Sequence, residues 1–226
     1  FGTATESPGL EVVGRARETE LRQAAALLGV REVNLLDYID GEVDRAPAAE
    51  AAARIAALIR RHRPQVVMTF GPEGAYGHPD HIAISQYCGA GIVAAADAGA
   101  EDPAGGLIEG AAHRVSKLYY MAWTAAQMEG YQAAFKRLVS VVDGVERQAT
   151  PCQDWLITTR IDATERWRTV WQAVLCHKTQ MAVYQKLAEL DERYHKTLWG
   201  DQTFYRVFSL VNGGRAIETD LFDGLR

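Results

Sequence analysis

Helix-like and strand-like patterns of apolar residues alternate along this chain. Residues 15–28 carry their apolar side chains on one helical stripe and end before Gly29, a typical helix C-cap. A second helix is predicted to open at Pro47 and to stop before Pro64, and the apolar segment 32–36 between the two helices predicts a short strand. This alternation is typical of an α/β fold.

The run Val66–Phe70 is almost continuously apolar and follows a helix, as expected for a parallel strand that is covered on both faces. Further strands are predicted at 117–121, 155–161 and 204–208, and further helices at 81–96, 125–139 and 164–190. The sequence has no internal repeat and no linker-like segment. We therefore predict a single α/β domain over residues 1–226, with a Rossmann-like, mostly parallel sheet and flanking helices.

Composition narrows the classes of function. With 226 residues, 48% hydrophobic and 23% charged, the chain has the composition of a folded protein. A net charge of −5 without a basic stripe argues against nucleic acid as a partner, and no apolar run reaches the roughly 18 residues of a membrane span. The odd set of Cys88, Cys152 and Cys176 forms no C-x-x-C pair, which favours a reducing compartment and a cytoplasmic location. Homo-oligomerisation is left open.

The loop after Val66–Phe70 concentrates residues that can carry chemistry. Ligands of open α/β sheets bind beyond the carboxyl ends of parallel strands. Three glycines, Gly71, Gly74 and Gly77, are followed there by the tetrapeptide His78-Pro79-Asp80-His81. One imidazole could ligate a metal while the other acts on substrate, with Asp80 holding a tautomer. The alternative is a polar loop whose histidines cap the next helix.

The segment Tyr76-Gly77-His78-Pro79-Asp80-His81 after a VVMTF strand resembles the zinc-dependent N-acetylglucosaminyl deacetylases of the LmbE-like, PIG-L type. This resemblance implies that His81 is a zinc ligand and that His78 stabilises the tetrahedral transition state. It further implies that Asp80 orients His78 and that Tyr76 polarises the acetyl carbonyl. The expected cofactor is therefore Zn, and the expected partner is a small-molecule amino sugar.

Weaker similarity extends outside this motif. Arg17 in the first helix, Asp40 in LLDYIDGE, and His177 and Gln180 in an H-x-[ST]-Q segment match positions that the resemblance implies contact the substrate. From the residues alone, other interpretations stay open. Arg17 and Asp40 are also typical of solvated positions, and His177 lies on an apolar stripe where a core histidine is common.

One family signature, A-H-P-D-D-E, does not occur in these 226 residues. The resemblance implies that this signature supplies two zinc ligands and a general-base Asp, so we expect the N-terminal strand and helix that carry it to lie outside this chain. One histidine cannot hold a catalytic zinc, which takes three protein ligands. The predicted function is zinc-dependent hydrolysis of the N-acetyl group of an N-acetylglucosamine-type conjugate. The alternatives are a metal-free carbohydrate-binding relic, or an amidase acting on a thiol conjugate or an antibiotic glycoside.

Overall fold

Helices and strands alternate in the computed structural model of the protein, which describes residues 8–135, 139–142, 144–214 and 216–226. The helices are α1 Leu10–Leu27, α2 Ala48–His62, the single turn α3 Gly74–Gly77, α4 Pro79–Ala96, α5 Ala125–Phe135, α6 Trp167–Leu175, α7 Lys178–Tyr184 and α8 Glu192–Gly200. The strands are β1 Val66–Thr69, β2 Lys117–Met121, β3 Val139–Val142, β4 Val145–Gln148, β5 Thr159–Asp162 and β6 Asp201–Ser209. In the described part of the chain, no helix is both long enough and apolar enough to cross a membrane.

The chain divides into two compact units. The first, here called the helical unit, comprises Phe1–Leu35, Ala126–Arg137 and Asp162–Gln202. The second, here called the sheet unit, comprises Leu36–Ala125, Leu138–Ile161 and Thr203–Arg226. The single domain predicted over residues 1–226 stays a prediction.

The main sheet has the strand order β1-β2-β6-β5. Strand β1 pairs with β2 in parallel, with Val66 opposite Lys117, whereas β2 pairs with β6 antiparallel, with Lys117 opposite Ser209. The predicted α/β class with a central sheet and flanking helices is confirmed. The expectation of a mostly parallel sheet is correct only in part, because β6 runs against β2.

The core of the sheet unit lies where α2 and α4 pack together and against the sheet. Its buried side chains are Ala56, Ile59, Cys88, Ile92, Ala95, Ile108, Val115 and Leu118. The two helices approach closely at Gly91, where an added Cβ would lie 2.7 Å from Ile55 Cγ2 and 3.1 Å from the carbonyl oxygen of Ala52. This packing fixes α4, and with it the motif at the start of that helix.

Arg60 of α2 is a buried cation that binds the C-terminus of α4. Its guanidinium donates to five carbonyl oxygens, those of Ala94, Ala95, Asp97, Ile108 and Gly110. Cations are favourable beside the last carbonyls of a helix, where the backbone dipoles leave negative partial charge. Arg60 therefore ties the C-terminus of α4 to the loop that follows it.

A buried carboxylate, Glu218, joins the sheet to the C-terminal segment. Its oxygens accept hydrogen bonds from Lys117 Nζ, Tyr119 OH, Thr159 Oγ1, Arg206 Nη1 and Asn212 Nδ2, at 2.7–2.8 Å. Burial raises the pKa of Glu218, but these hydrogen bonds outweigh it and lower the pKa from 4.5 to about 2. Glu218 is therefore ionised and fully engaged within the fold.

The strand predicted at 32–36 is wrong: these residues, all of which the structure describes, form no strand. Arginine side chains donate hydrogen bonds to the backbone carbonyls there, in place of a neighbouring strand. Arg22 Nη1 donates to Val33 O at 3.4 Å, and Arg54 Nη1 donates to Leu36 O at 2.9 Å. A strand needs a partner with unpaired backbone groups, which an apolar pattern does not reveal.

The helix predicted over 164–190 is interrupted at His177, whose φ of −80° and ψ of 59° are not helical. The backbone N–H of Thr179 donates to Glu20 Oε1 at 2.8 Å, and its hydroxyl donates to Glu20 Oε2 at 2.7 Å. The buried carboxylate of Glu20 in α1 thus accepts two hydrogen bonds at the start of α7, where a negative charge is favourable. The continuous apolar stripe did not predict this break.

Other predicted boundaries also shift. Of the helix predicted over 125–139, the structure describes Ala125–Phe135 as α5, and Val139 belongs to β3; residues 136–138 lie outside the described part. The strand predicted over 155–161 is a 3₁₀ turn at Asp154–Leu156 followed by β5. The β3–β4 hairpin and helix α8 were not predicted at all.

Candidate functional site

The loop between β1 and α4 has a strained backbone. Gly74 and Gly77 have φ of 60° and 76°, and Ala75 has φ of 64° with ψ of −66°, which is uncommon for a residue with a side chain. Arg147 of β4 covers Gly77: its Nη1 donates to Gly77 O at 3.0 Å, and a Cβ on Gly77 would lie 2.7 Å from Arg147 Cδ. The β3–β4 hairpin therefore helps to hold the loop that carries the motif.

His81 is held in one orientation by two contacts. Its ring stacks on Phe70 with centroids 4.0 Å apart, and its Nδ1 lies 3.3 Å from Gly74 O. Burial lowers the pKa of His81 and the nearby His78 lowers it further, although the Gly74 carbonyl, Asp80 and Asp40 oppose the shift. The net effect favours a neutral imidazole with its Nδ1 proton directed at a carbonyl, as is common in metal-binding histidines.

His78 caps helix α4 with its side chain. The backbone N–H of Asp80 donates to His78 Nδ1 at 3.2 Å, so the proton of the neutral ring is on Nε2. The helix-capping interpretation is therefore correct for this ring. Its centroid lies 4.8 Å from that of His81 and 6.0 Å from that of Tyr76, while the Tyr76 and His81 centroids are 5.4 Å apart. The structure thus brings these three predicted site residues together.

The carboxylate of Asp80 is buried and binds a neighbouring turn. It accepts the backbone N–H of Gly41 at 2.7 Å and that of Val43 at 3.1 Å. Gly41 directly follows Asp40, whose charge acts on the pKa of His81. Asp80 therefore fixes the turn that places Asp40 near the histidines, while its backbone holds the ring of His78. The catalytic role of Asp80 and the substrate contact of Asp40 stay predictions.

Replacing Asp80 with Asn is expected to lower the free energy of unfolding by about 1–3 kcal/mol, because an amide supplies one acceptor oxygen where two backbone donors need one each. Hydrogen exchange at the Gly41 and Val43 amides should become faster in this variant, and urea denaturation measures the stability loss. The matched control is Asp44→Asn, which changes an exposed carboxylate in the same turn region. Unchanged exchange in Asp80→Asn would show that the Asp80 carboxylate does not hold the turn at Gly41 and Val43.

In the helical unit, the predicted substrate residues of α1 and of the 177–180 segment are neighbours. Arg17 lies one helical turn before Glu20, and Glu20 binds Thr179. His177 and Gln180 flank that contact, and all three predicted residues are half-buried. Asp40, Tyr76, Asp80 and the motif histidines belong to the sheet unit. A cavity shared by residues of both units stays a prediction.

Sequence reasoning missed two residues of this site. Phe70 was predicted only as the last residue of an apolar strand, although its ring is the stacking partner of His81. The position of Phe70 at the carboxyl end of a parallel strand was the available signal. Arg147 was missed although its hairpin had an available signal, the dipeptide Asp143-Gly144 between the apolar segment 139–142 and Val145.

The described residues contain no group of three or more His, Cys, Asp or Glu side chains that could hold a metal ion. His81 has the orientation and the lowered pKa of a metal ligand. A catalytic zinc nevertheless takes three protein ligands. The described residues therefore fit zinc as one ligand and not as a complete site.

Comparison with known proteins gives relatives that are named as deacetylases. The 1D-myo-inositol 2-acetamido-2-deoxy-alpha-D-glucopyranoside deacetylase of Thermobifida fusca is 33% identical over 194 residues, which cover 76% of this chain and 64% of that protein. The deacetylase of the same name from Streptomyces scabiei is 30% identical over 240 residues, covering 95% of this chain and 72% of the relative. The chain thus spans less than two thirds of the length of the Thermobifida fusca relative.

Solved structures support the fold. A conserved protein of Thermus thermophilus superimposes with a TM-score of 0.59 at 20% identity, covering 94% of this chain and 79% of that one. The 4-carboxy-2-hydroxymuconate hydratase of Pseudomonas putida gives a TM-score of 0.52 at 16% identity, covering 94% and 80%. The family model described as PIG-L, GlcNAc-PI de-N-acetylase, matches residues 2–91, which include the loop between β1 and α4. Together with the 30% identity to most of the Streptomyces scabiei protein, this match shows that the chain belongs to the PIG-L family.

Proposed function

We propose that this protein hydrolyses the N-acetyl group of an N-acetylglucosamine-type conjugate. Its relatives are named as deacetylases of a 2-acetamido-2-deoxyglucopyranoside, which is an amide of this class. The observation that carries the proposal is the histidine pair beyond β1, in which His78 carries its proton on Nε2 and His81 tends to be neutral. One ring is thus suited to donate a proton or hydrogen bond, and the other to bind a cation.

His78 stabilises the oxyanion that forms when water adds to the acetyl carbonyl. Because Asp80 N–H occupies Nδ1, the Nε2 proton is the one that can be donated to developing negative charge. Tyr76, beside both rings, donates its hydroxyl to the same carbonyl oxygen. The Asp80 N–H holds the ring of His78 before the substrate binds, and a fixed donor is the condition for effective transition-state stabilisation.

His81 is proposed as a zinc ligand. When bound, zinc would polarise the acetyl carbonyl and lower the pKa of water toward about 7. Because the described residues supply one ligand of the three that are needed, the steps proposed here are those of the chain's own side chains. Arg17, Asp40, His177 and Gln180 are proposed to bind the sugar hydroxyls, as charged and amide groups bind polyols through strong hydrogen bonds.

The proposal predicts zinc-dependent amine release from 1D-myo-inositol 2-acetamido-2-deoxy-α-D-glucopyranoside. The full-length protein is incubated with zinc and this glycoside, the free amine is measured by derivatisation, and bound zinc is measured by metal analysis. His81→Ala should lose both zinc and turnover, because it removes a ligand. Binding of the sugar without amine release, in the presence of zinc, would contradict the proposed hydrolysis and favour a carbohydrate-binding protein.

A further inference from the structure

A cavity of about 430 Å³ opens in the sheet unit beside the histidine pair. It lies beyond the carboxyl ends of the parallel strands β1 and β2: Phe70 follows β1, and Ala122 and Trp123 follow β2. Residues 150–153 also line it, and Cys152 N–H donates to Trp123 O at 2.7 Å. Ligands of α/β proteins bind at this edge of the sheet.

The cavity adjoins the proposed catalytic residues through a shared side chain. Phe70 lines the cavity and also stacks on His81 at 4.0 Å. Ala75, another lining residue, directly precedes Tyr76 and has the strained backbone described above. A substrate whose acetyl group lies near His78 and His81 could therefore extend a second group into this cavity.

The lining favours an apolar, flat group over a polyol. Four aromatic side chains contribute to it, those of Phe70, Tyr120, Trp123 and Tyr205. Tyr120 and Tyr205 face each other across β2 and β6, with centroids 6.5 Å apart and ring planes within 27°. Among the described residues that line the cavity there is one carboxylate, Glu73, and no basic side chain.

The lining is mostly apolar, although it also contains Glu73, Thr150, Gln153 and the hydroxyls of Tyr120 and Tyr205. A buried polyol would exchange water for apolar surface over most of its extent, which is unfavourable, whereas an aromatic group gains offset or edge-to-face ring contacts. The Thermobifida fusca relative is named for a substrate with an inositol aglycone. The mostly apolar, aromatic lining of this cavity suits an inositol less well than it suits an aromatic ring. It therefore points to a different substituent on the amino sugar.

We propose that this cavity binds a flat, apolar aglycone attached to the anomeric carbon of the N-acetylated amino sugar. This inference rests on the proposed function, since it places the acetyl group at the histidine pair. It adds a specificity determinant in which Tyr205 and Tyr120 form the floor and Phe70 separates the aglycone from His81. No lining residue takes part in the proposed hydrolysis.

The test compares three α-glycosides of 2-acetamido-2-deoxyglucose, carrying phenyl, methyl or myo-inositol as the aglycone. Isothermal titration calorimetry with the full chain measures the dissociation constant of each. The phenyl glycoside should bind about tenfold more tightly than the methyl glycoside, a difference expected from burying one ring. Tyr205→Ala and Tyr205→Leu should both remove this preference, and the Leu variant retains an apolar side chain where the Ala variant could disturb the fold.

The matched control is Trp155→Ala. Trp155 is 79% exposed and adjoins Leu156, which lines the cavity, but its own side chain does not. The phenyl preference should survive this change. Equal affinity for the three glycosides, or tightest binding of the inositol glycoside with a loss in Tyr205→Leu, would overturn the proposed aglycone.

Phenol alone distinguishes this proposal from the proposed function. Saturable phenol binding that Tyr205→Leu abolishes, with no affinity for any of the glycosides, would leave an apolar site but overturn both the sugar assignment and the aglycone proposal. Hydrolysis of all three glycosides with no phenyl preference would uphold the proposed function and overturn the aglycone proposal.

Discussion

Replacing His78 with Ala is expected to lower kcat for deacetylation by about a hundred- to a thousandfold. The reason is the loss of a fixed donor to the oxyanion, a contribution of this size when one such donor is removed. Bound zinc should change little, because the proposed ligand is His81. Steady-state kinetics on the N-acetylglucosaminyl glycoside, with metal analysis of the same samples, measures both quantities.

His78 also caps α4, so its removal has a structural consequence that must be separated from catalysis. His78→Ala loses the acceptor for Asp80 N–H and should cost about 0.5–2 kcal/mol of stability. His78→Ser restores a capping oxygen and should recover most of that stability, but it should not recover kcat. If His78→Ser regained full activity, the ring would act as a cap and the oxyanion role would be wrong. Equal zinc loss in His78→Ala and His81→Ala would contradict the division of roles.

Replacing Glu218 with Ala should lower the free energy of unfolding by about 3–5 kcal/mol, the cost of breaking a buried ion pair. Lys117, whose side chain is 0% exposed, would lose its ion-pair partner, and Arg206, Tyr119 and Thr159 would each lose the same acceptor. Urea denaturation at neutral pH measures the loss. A control on the same sheet, Met68→Ala, removes a side chain that is 52% exposed and should cost far less.

Titration of Glu218 should make the free energy of unfolding depend on pH. Its pKa is lowered in the folded state, from 4.5 to about 2, so its contribution is complete above pH 4.5 and is lost as the pH falls toward 2. This contribution amounts to about 3 kcal/mol. Glu218→Gln cannot ionise, so the difference in unfolding free energy between wild type and this variant should shrink across that range. A difference that stays constant from pH 6 to pH 2.5 would contradict an ionised, stabilising Glu218.

The sequence predicted helices and strands well where the apolar pattern and the glycine or proline residues at its boundaries agree. The bounds of β2 were predicted at 117–121, and β1 and α4 were predicted within one or two residues because a glycine-rich loop separates a continuous apolar run from a helix that begins with Pro79. In contrast, segment 32–36 has a strand-like pattern but no strand partner among the described residues, and its carbonyls accept from arginine side chains. Pairing is a property of the whole fold.

Long-range contacts explain the other differences. The helix break at His177 depends on Glu20, which is 159 positions from its partner Thr179. Helix α8 was missed because most of its side chains are polar, although one of them, His195, is buried. His195 Nδ1 accepts a hydrogen bond from Trp199 Nε1 at 3.1 Å, and its ring contacts the indole rings of Trp167 and Trp171. No local periodicity encodes such contacts.

The candidate site shows the same division. The residue types of the His78–His81 motif and its place after β1 were evident from the sequence, because both follow from local pattern. The tautomer of His78 depends on the backbone of Asp80, and the use of the Asp80 carboxylate depends on a turn about 40 positions earlier. The His78 tautomer and the partners of Asp80 are therefore known only from the three-dimensional structure.

Deacetylation is tested most directly by measuring acetate and free amine together, as released by the zinc-supplemented full-length protein from an N-acetylglucosaminyl α-glycoside. Hydrolysis of the amide predicts the two products in equal amounts, increasing with time and with protein concentration, and strongly reduced in His78→Ala. Saturable binding of the glycoside with neither product released, in wild type at saturating zinc, would contradict the proposal that this protein is a deacetylase.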